Sequence, residues 1–181
     1  MASISQFIDI LLGPCVRRIE SDIKIIYLTF DDGPNADCTP HVQNLLQKYN
    51  VKATYFLIGN KIDKNISIFN RIKDEGNAIG NHSPDHKIKN YFKGKKVLKK
   101  WIDQSETTIS TLSGKPSIGF RPPAGVRTPE LRLIMKEINN KPIMWKYRFY
   151  DGVFNFNDSS WQRKIKKIKC GTLNIDTHKN T

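Results

Sequence analysis

The stretch TFDDGPN, Thr29 to Asn35, follows the apolar run IKIIYL and places Asp31 directly before Asp32. The apolar run predicts a buried strand, and Gly33-Pro34 predicts a sharp turn after it. Two carboxylates in contact repel each other, so a buried pair does not easily stay doubly ionised. The two acids therefore either face water in an ordinary turn or are held by something positive.

Short apolar runs alternate with helical periods along the rest of the chain, which predicts one α/β domain of mostly parallel strands. The predicted strands are Ile25 to Phe30, Ala53 to Gly59, Ala78 to Gly80, Ile118 to Arg121, Ile143 to Trp145 and Thr172 to Ile175. Two predicted helices begin at the N-terminal caps Thr39-Pro40 and Thr128-Pro129, and a third ends at Gly76. Two more are predicted over Val97 to Leu112 and Trp161 to Ile168.

Polar residues gather at or just past the C-terminal ends of these strands. They are Asp31, Asp32, His82, Arg121 and Asp151. In parallel α/β sheets and barrels, that edge is where binding and catalytic sites are built.

His82 and His86 lie four residues apart in HSPDH and can converge on one metal ion. Zinc in hydrolytic sites often takes two histidines and one carboxylate, with one position left for water. A divalent cation would also reduce the repulsion between Asp31 and Asp32, so that one acid binds the metal and its neighbour takes a proton from the attacking water. Two exposed loop histidines and an ordinary turn are the alternatives that each motif alone leaves open.

In this order, the segments TFDDGP, ATYFLIG, GNHSPDH and FRPPAG resemble the motifs of the polysaccharide deacetylase family, also known as the NodB homology domain or carbohydrate esterase family 4. The resemblance runs from about Ile25 to at least Asp151. It implies a distorted or incomplete (β/α) barrel, because the chain has 181 residues and a full eight-fold barrel takes about 250. It also implies metal-dependent hydrolysis of the N-acetyl group of an amino sugar in a glycan or glycolipid, with release of acetate.

The resemblance gives each residue of the first two motifs a role. Asp31 matches the general base of the family. Asp32, His82 and His86 match its metal ligands, and zinc is the ion that this ligand set implies.

Three further positions take their roles from the resemblance alone. Arg121 matches the arginine that orients and charge-pairs the base. Ala124 matches the position whose backbone N–H helps to bind the oxyanion, where many members have an aromatic residue. Asp151 matches an aspartate that contacts the arginine, although Gly152 stands where a tryptophan is usual.

The C-terminal text CGTLNIDTHKNT departs from the family pattern. The family has a histidine there that protonates the leaving amine, and His178 is the histidine available, but the apolar residue usual two positions before it is missing. His178 is therefore either the general acid or a tail residue outside the site. In the second case the chain is a catalytically impaired carbohydrate-binding relative that keeps the metal site, and a third alternative is an anion-surface binding protein with a structural metal.

The charge balance points to anionic partners, since 30 Lys and Arg face 17 Asp and Glu and give a formal net charge of +13. The basic runs KGKKVLKK (93–100) and RKIKKIK (163–169) are typical of solvated helix faces, or of docking on an anionic membrane or a phosphate-linked glycan. No recognised nucleic-acid fold or interleaved stacking surface is present in the sequence, so a specific nucleic-acid partner is not expected. The three cysteines are far apart and suggest neither a disulfide framework nor a thiolate zinc site.

Residues 1–22 are expected to form an N-terminal segment, and residues 23–181 the deacetylase-like domain. Phe7, Ile8, Leu11 and Leu12 predict an amphipathic helix in that segment, which packs on the domain or lies on a bilayer. The segment lacks the basic start of a signal peptide, and no apolar run is long enough for a membrane span. The sequence thus favours a location in the cytoplasm or at the membrane surface.

Overall fold

The structure is a computed structural model, and it describes residues 4–21, 25–146 and 172–173. The strands are β1 (Ile26–Tyr27), β2 (Thr29–Gly33), β3 (Thr54–Leu57), β4 (Ala78–Asn81) and β5 (Thr172–Leu173). The helices are α1 (Ile4–Leu12), α2 (Thr39–Lys48), α3 (Gly59–Ile62), α4 (Ile66–Asp74), α5 (Lys95–Ser113) and α6 (Pro129–Glu137), with 3₁₀ turns at Asp63–Asn65, Ile88–Phe92 and Pro123–Gly125.

The sheet is parallel, with β3 between β2 and β4. Isolated parallel bridges extend this sheet beyond β4, from Asn81 to Phe120 and from Ile143 to Val16. The Ile143 N–H joins these two pairs, because it donates to the Phe120 carbonyl at 2.9 Å. β1 pairs in parallel with β5. The predicted α/β class with parallel strands is therefore confirmed.

The first strand differs from its predicted bounds of Ile25 to Phe30. The strand is interrupted at Leu28. β2 then runs on to Gly33, so that Asp31 and Asp32 lie within the strand and not after it. The pairing of β2 with β3 shifts register between Phe30 and Gly33, and Asp32 has a left-handed φ of 62°. Because neighbouring residues of a regular strand point to opposite faces, this irregularity is what allows two adjacent carboxylates to serve the same site.

Helix starts agree with the sequence in one case and differ by one residue in another. Thr128 caps α6, and its Oγ1 accepts a hydrogen bond from the Leu131 N–H at 3.3 Å. α2 instead begins at Thr39, with Cys38 at the cap position. The Thr39 side chain bonds back to the preceding turn, because its Oγ1 accepts from the Asn35 N–H at 2.9 Å, and Asn35 Oδ1 accepts from the Cys38 N–H at 2.9 Å.

Two apolar clusters hold the elements together below the site. The first joins the inner faces of α2 and α4 to β3 and β4, around Phe69 and Leu57. The second packs α5 against α6, around Trp101 and Leu131. Within the described residues, no helix is long and apolar enough to cross a membrane.

Candidate functional site

The carboxylate of Asp31 is buried and paired with Arg121. Arg121 Nη1 donates to Asp31 Oδ1 at 2.7 Å, and the side chains of Arg121 and Asp31 are 0% and 1% exposed. A buried charge is costly unless a partner compensates it. The pair therefore fixes both the charge and the orientation of the Asp31 carboxylate.

Arg121 is itself held from several sides. Its Nη1 also donates to Thr29 Oγ1 at 2.8 Å, and its Nε donates to the Ile143 carbonyl at 3.2 Å. The guanidinium lies 3.9 Å from the centre of the Phe56 ring and 5.7 Å from that of Trp145, distances at which cation–π attraction operates. Its buried Nη2 has no hydrogen-bond partner within the part of the chain that the structure describes.

Asp32 turns toward the two histidines. Asp32 Oδ1 lies 3.3 Å from His82 Nε2 and 3.4 Å from His86 Nε2. One ligand atom from each of the three residues lies within 4.8 Å of the others. His82 is buried and the His86 side chain is 34% exposed, so the cluster is open to solvent on the His86 side.

The backbone presets the two imidazole rings. His82 Nδ1 lies 2.7 Å from the Arg121 carbonyl oxygen, which is an acceptor only. This places the proton on Nδ1 and leaves the lone pair of Nε2 directed to Asp32, an arrangement typical of metal-binding histidines. The His86 N–H donates to Ser83 Oγ at 3.1 Å, and the left-handed φ of His86, 58°, turns its side chain back.

The three residues fit a zinc ion. Ligands at zinc bond lengths of about 2.0–2.1 Å and tetrahedral angles lie roughly 3.3 Å from each other. The two distances from Asp32 Oδ1 to the imidazole nitrogens, 3.3 and 3.4 Å, agree with this spacing. Two neutral imidazole nitrogens and one carboxylate oxygen also form a donor set that zinc favours in hydrolytic sites.

Asp85 lies between the two histidines in sequence but serves the loop. Trp101 Nε1 donates to its Oδ1 at 2.8 Å, and Lys87 Nζ lies 3.0 Å from its Oδ2. Burial raises the pKa of Asp85, but the hydrogen bonds from Lys87 and Trp101 outweigh this and hold the pKa below its usual value. Asp85 thus remains a carboxylate that anchors the histidine loop to α5.

The structure brings together Asp31, Arg121, Asp32, His82 and His86, as the sequence predicts. Ala124 is exposed, in the 3₁₀ turn after Arg121, with a left-handed φ of 51°. Asp151 and His178 lie outside the described residues, so their roles stay predictions.

The sequence did not identify the residues that support the site by hydrogen bonds. Thr29 Oγ1 accepts from the same Arg121 Nη1 that donates to Asp31, and Asn81 Oδ1 accepts from the Ser83 N–H at 2.8 Å. Their position in TFDDGP and GNHSPDH, next to candidate catalytic residues, was the available signal.

Comparison with known proteins connects this geometry to a family. The sequence matches the polysaccharide deacetylase family model over residues 18–143. It is 32% identical, over 75% of this chain and 62% of the relative, to a peptidoglycan-N-acetylglucosamine deacetylase of Bacillus cereus. It is 34% identical, over 71% of this chain and 27% of the relative, to the peptidoglycan-N-acetylmuramic acid deacetylase PdaC of Bacillus subtilis. The chain thus spans less than two thirds of the length of either relative.

A solved structure extends the likeness to the fold. A mutant with restored enzymatic activity of a CE4 family pseudoenzyme from Bacillus anthracis superposes with a TM-score of 0.81 at 26% identity. The match covers 93% of this chain and 61% of that one. The distorted (β/α) barrel expected from the sequence is therefore confirmed.

Proposed function

Because the chain belongs to the polysaccharide deacetylase family, we propose that it hydrolyses the N-acetyl group of an amino sugar in a glycan or glycolipid and releases acetate. The observation that carries this proposal is the division of labour between two adjacent carboxylates. Asp31 is paired with a buried arginine, whereas Asp32 faces two imidazole nitrogens. The two relatives compared above are named for the deacetylation of amino sugars in peptidoglycan, which agrees with this chemistry.

Asp32, His82 and His86 are proposed to hold a divalent metal, most favourably zinc. A zinc ion bound there would lower the pKa of a water molecule and polarise the acetamide carbonyl. The Arg121 carbonyl holds the His82 ring in an orientation that suits a metal ligand. A preset ligand cluster lowers the cost of binding an ion.

Asp31 is proposed to accept the proton of the attacking water. Arg121 holds the carboxylate by Oδ1 and compensates its charge while the site is buried. The same contact keeps the carboxylate at a fixed angle to the Asp32 cluster, and the base needs no rearrangement at the moment of attack. A positioned general base typically contributes about 10²- to 10⁴-fold to the rate.

The remaining roles rest on the family pattern. The Ala124 backbone N–H is proposed to donate to the oxyanion. Asp151 is proposed to accept from Arg121 Nη2, the atom that has no partner within the described residues. His178 is proposed to protonate the departing sugar nitrogen.

The test separates metal binding from proton transfer. Asp32→Ala is expected to lose both bound zinc and acetate release from N-acetylglucosamine oligomers or peptidoglycan fragments. Asp31→Asn should keep stoichiometric zinc and lose activity by about 10²-fold or more. The exposed Asp103→Asn in α5 provides a control of the same chemistry that should change neither. Unchanged zinc content in a His82→Ala, His86→Ala double variant would disprove the metal assignment.

A catalytically impaired carbohydrate-binding protein is the second candidate. The atypical setting of His178 favours it, and the structure compared above derives from a pseudoenzyme whose activity was restored by mutation. This candidate expects zinc and glycan binding by calorimetry without acetate release, and no effect of His178→Ala. Activity that falls in His178→Ala would instead support the complete enzyme.

An anionic membrane surface is a proposed second partner, through which a lipid-linked amino sugar would reach the site. The net charge of +13 and the exposed side chains of Ile10 and Leu11 on α1 support it. Co-sedimentation with vesicles that contain anionic lipid, but not with neutral vesicles, is the expected result. Loss of that binding in an Ile10→Ser, Leu11→Ser variant would assign it to α1.

A further inference from the structure

A groove of about 460 Å³ opens beside the candidate metal ligands. Asp32 and His86 belong to its lining, so the groove adjoins the candidate metal site. Its walls also contain three lysines, Lys61, Lys64 and Lys87, and we call it the lysine groove. Its volume lies in the range of about 300–1,000 Å³ typical of small-molecule pockets. A substituent of the reacting sugar, or of its neighbour in the glycan, can therefore occupy it.

The two walls of the lysine groove are joined by their backbones. The Gly59 N–H donates to the Ser83 carbonyl, and the Asn60 N–H donates to the Pro84 carbonyl, both at 2.9 Å. The start of α3, which carries Lys61 and leads into the 3₁₀ turn of Lys64, is thereby fixed to the loop that carries the two histidines. The groove is preformed, which reduces the ordering that a bound group would have to impose.

The charges of the groove are unequally compensated. Lys87 Nζ lies 3.0 Å from Asp85 Oδ2, so its charge is largely neutralised. Lys61 Nζ donates to the Asp32 carbonyl oxygen at 3.0 Å, a neutral acceptor in the backbone of a candidate metal ligand. Lys64 is exposed and, among the described residues, forms no ion pair. The Asp32 carboxylate, which also lines the groove, faces His82 and His86, so Lys61 and Lys64 contribute two ammonium groups with no carboxylate partner among the described ion pairs.

We propose that the lysine groove binds an anionic substituent, a carboxylate or a phosphate, carried by the glycan next to the acetamido sugar. Lys61 would contact the anion beside Asp32, and the exposed Lys64 would attract it from solvent. The chain would then prefer charged over neutral N-acetylated glycans. This inference rests on the proposed function for its reaction, but its binding step can be measured without turnover.

The test measures dissociation constants by calorimetry on the zinc-loaded full chain. The probes are three glycans of equal length: a neutral N-acetylglucosamine oligomer, the same oligomer with carboxylate ethers, and the same oligomer with phosphate esters. At least one anionic glycan should bind about ten-fold more tightly than the neutral one. The preferred anion identifies the substituent, and high salt should reduce the preference.

Variants assign the preference to the groove. The Lys61→Gln, Lys64→Gln double variant should bind all three glycans equally. Lys64→Glu, at an exposed position, should weaken the anionic glycans without disturbing the Asp32 contact. Lys52→Gln removes one exposed lysine before β3, at the opposite edge of the sheet, and should keep the full preference.

Each outcome bears on one claim. Equal affinity of the wild-type chain for the three glycans, or a preference that survives the double variant, would overturn the lysine groove. A preference for an anionic glycan that yields no acetate would contradict the proposed reaction and leave the groove intact. Acetate release without any preference for an anionic glycan would support the proposed reaction and contradict the lysine groove.

Discussion

Two clusters of aspartate and arginine differ chiefly in their access to water. Asp31, within β2, and Arg121 are almost fully buried and are joined by a hydrogen bond of 2.7 Å. Asp9, on α1, has a side chain that is 28% exposed, and it accepts from Arg17 at 3.0 Å and from Arg127 at 2.8 Å. Water can replace a partner in the second cluster but not in the first. Burial, and not the chemistry of the pair, should therefore decide how much each cluster contributes.

The largest effect is expected for Arg121→Met. The change leaves the Asp31 carboxylate buried without its guanidinium, and such an uncompensated charge costs about 3–5 kcal/mol. Urea denaturation at neutral pH measures the loss in the free energy of unfolding. Acetate release should be lost as well, because the base would no longer be held.

A double variant separates charge from packing at this position. Arg121→Met combined with Asp31→Asn removes the buried charge, so it should be more stable than Arg121→Met alone. If both variants lost the same stability, packing of Arg121 against Phe56 would explain the effect, and the charge argument would fail.

The buried cluster could be predicted from the sequence, whereas the half-buried cluster around Asp9 could not. Asp31 and Arg121 follow apolar runs, and parallel strands bring their C-terminal ends to one edge. Asp9 and Arg127 are more than a hundred residues apart, in a helix and a loop whose packing leaves no periodic signal. The register shift in β2, which determines how Asp31 and Asp32 divide their contacts, is likewise a tertiary feature.

The lysine groove could not be predicted from the sequence either. Lys61 and Lys87 line the same groove because backbone hydrogen bonds join the start of α3 to the histidine loop, and such pairing has no pattern in side-chain type. In the sequence these lysines were indistinguishable from the many that make up the net charge of +13. What the sequence carried was the chemistry of the reaction centre, since TFDDGP and HSPDH each combine several functional residues in a short span.

A smaller effect is expected for Arg127→Met. Arg127 Nη1 donates to Asp9 and to the Gly13 carbonyl, so it ties α1 to the loop before α6. Its loss should cost about 1–2 kcal/mol, because Arg17 remains beside Asp9 and water reaches the site. Hydrogen exchange should become faster in α1 and stay unchanged in β3. Uniformly faster exchange would instead make residues 1–22 part of the same cooperative unit as the domain, against the predicted division of the chain.

The smallest effect is a pH dependence at Asp9. Burial raises the pKa of Asp9, but hydrogen bonds and charges from Arg17 and Arg127 outweigh it and hold the pKa below the ordinary 3.8. A carboxyl group with a lowered pKa stabilises the fold above its ordinary pKa, and this contribution fades as the pH falls through the folded-state value. The difference in unfolding free energy between the wild-type chain and Asp9→Asn should therefore be about 0.5–1 kcal/mol at pH 7 and shrink on acidification.

The matching control for Asp9 is a background without its partners. In an Arg17→Met, Arg127→Met chain, Asp9→Asn should give a difference that no longer shrinks in acid, because the two guanidinium groups that lower the pKa of Asp9 are absent. A difference that grows on acidification of the wild-type background would mean that burial, and not the arginines, controls Asp9. The half-buried cluster around Asp9 would then resemble the buried one, and access to water would not be what separates them.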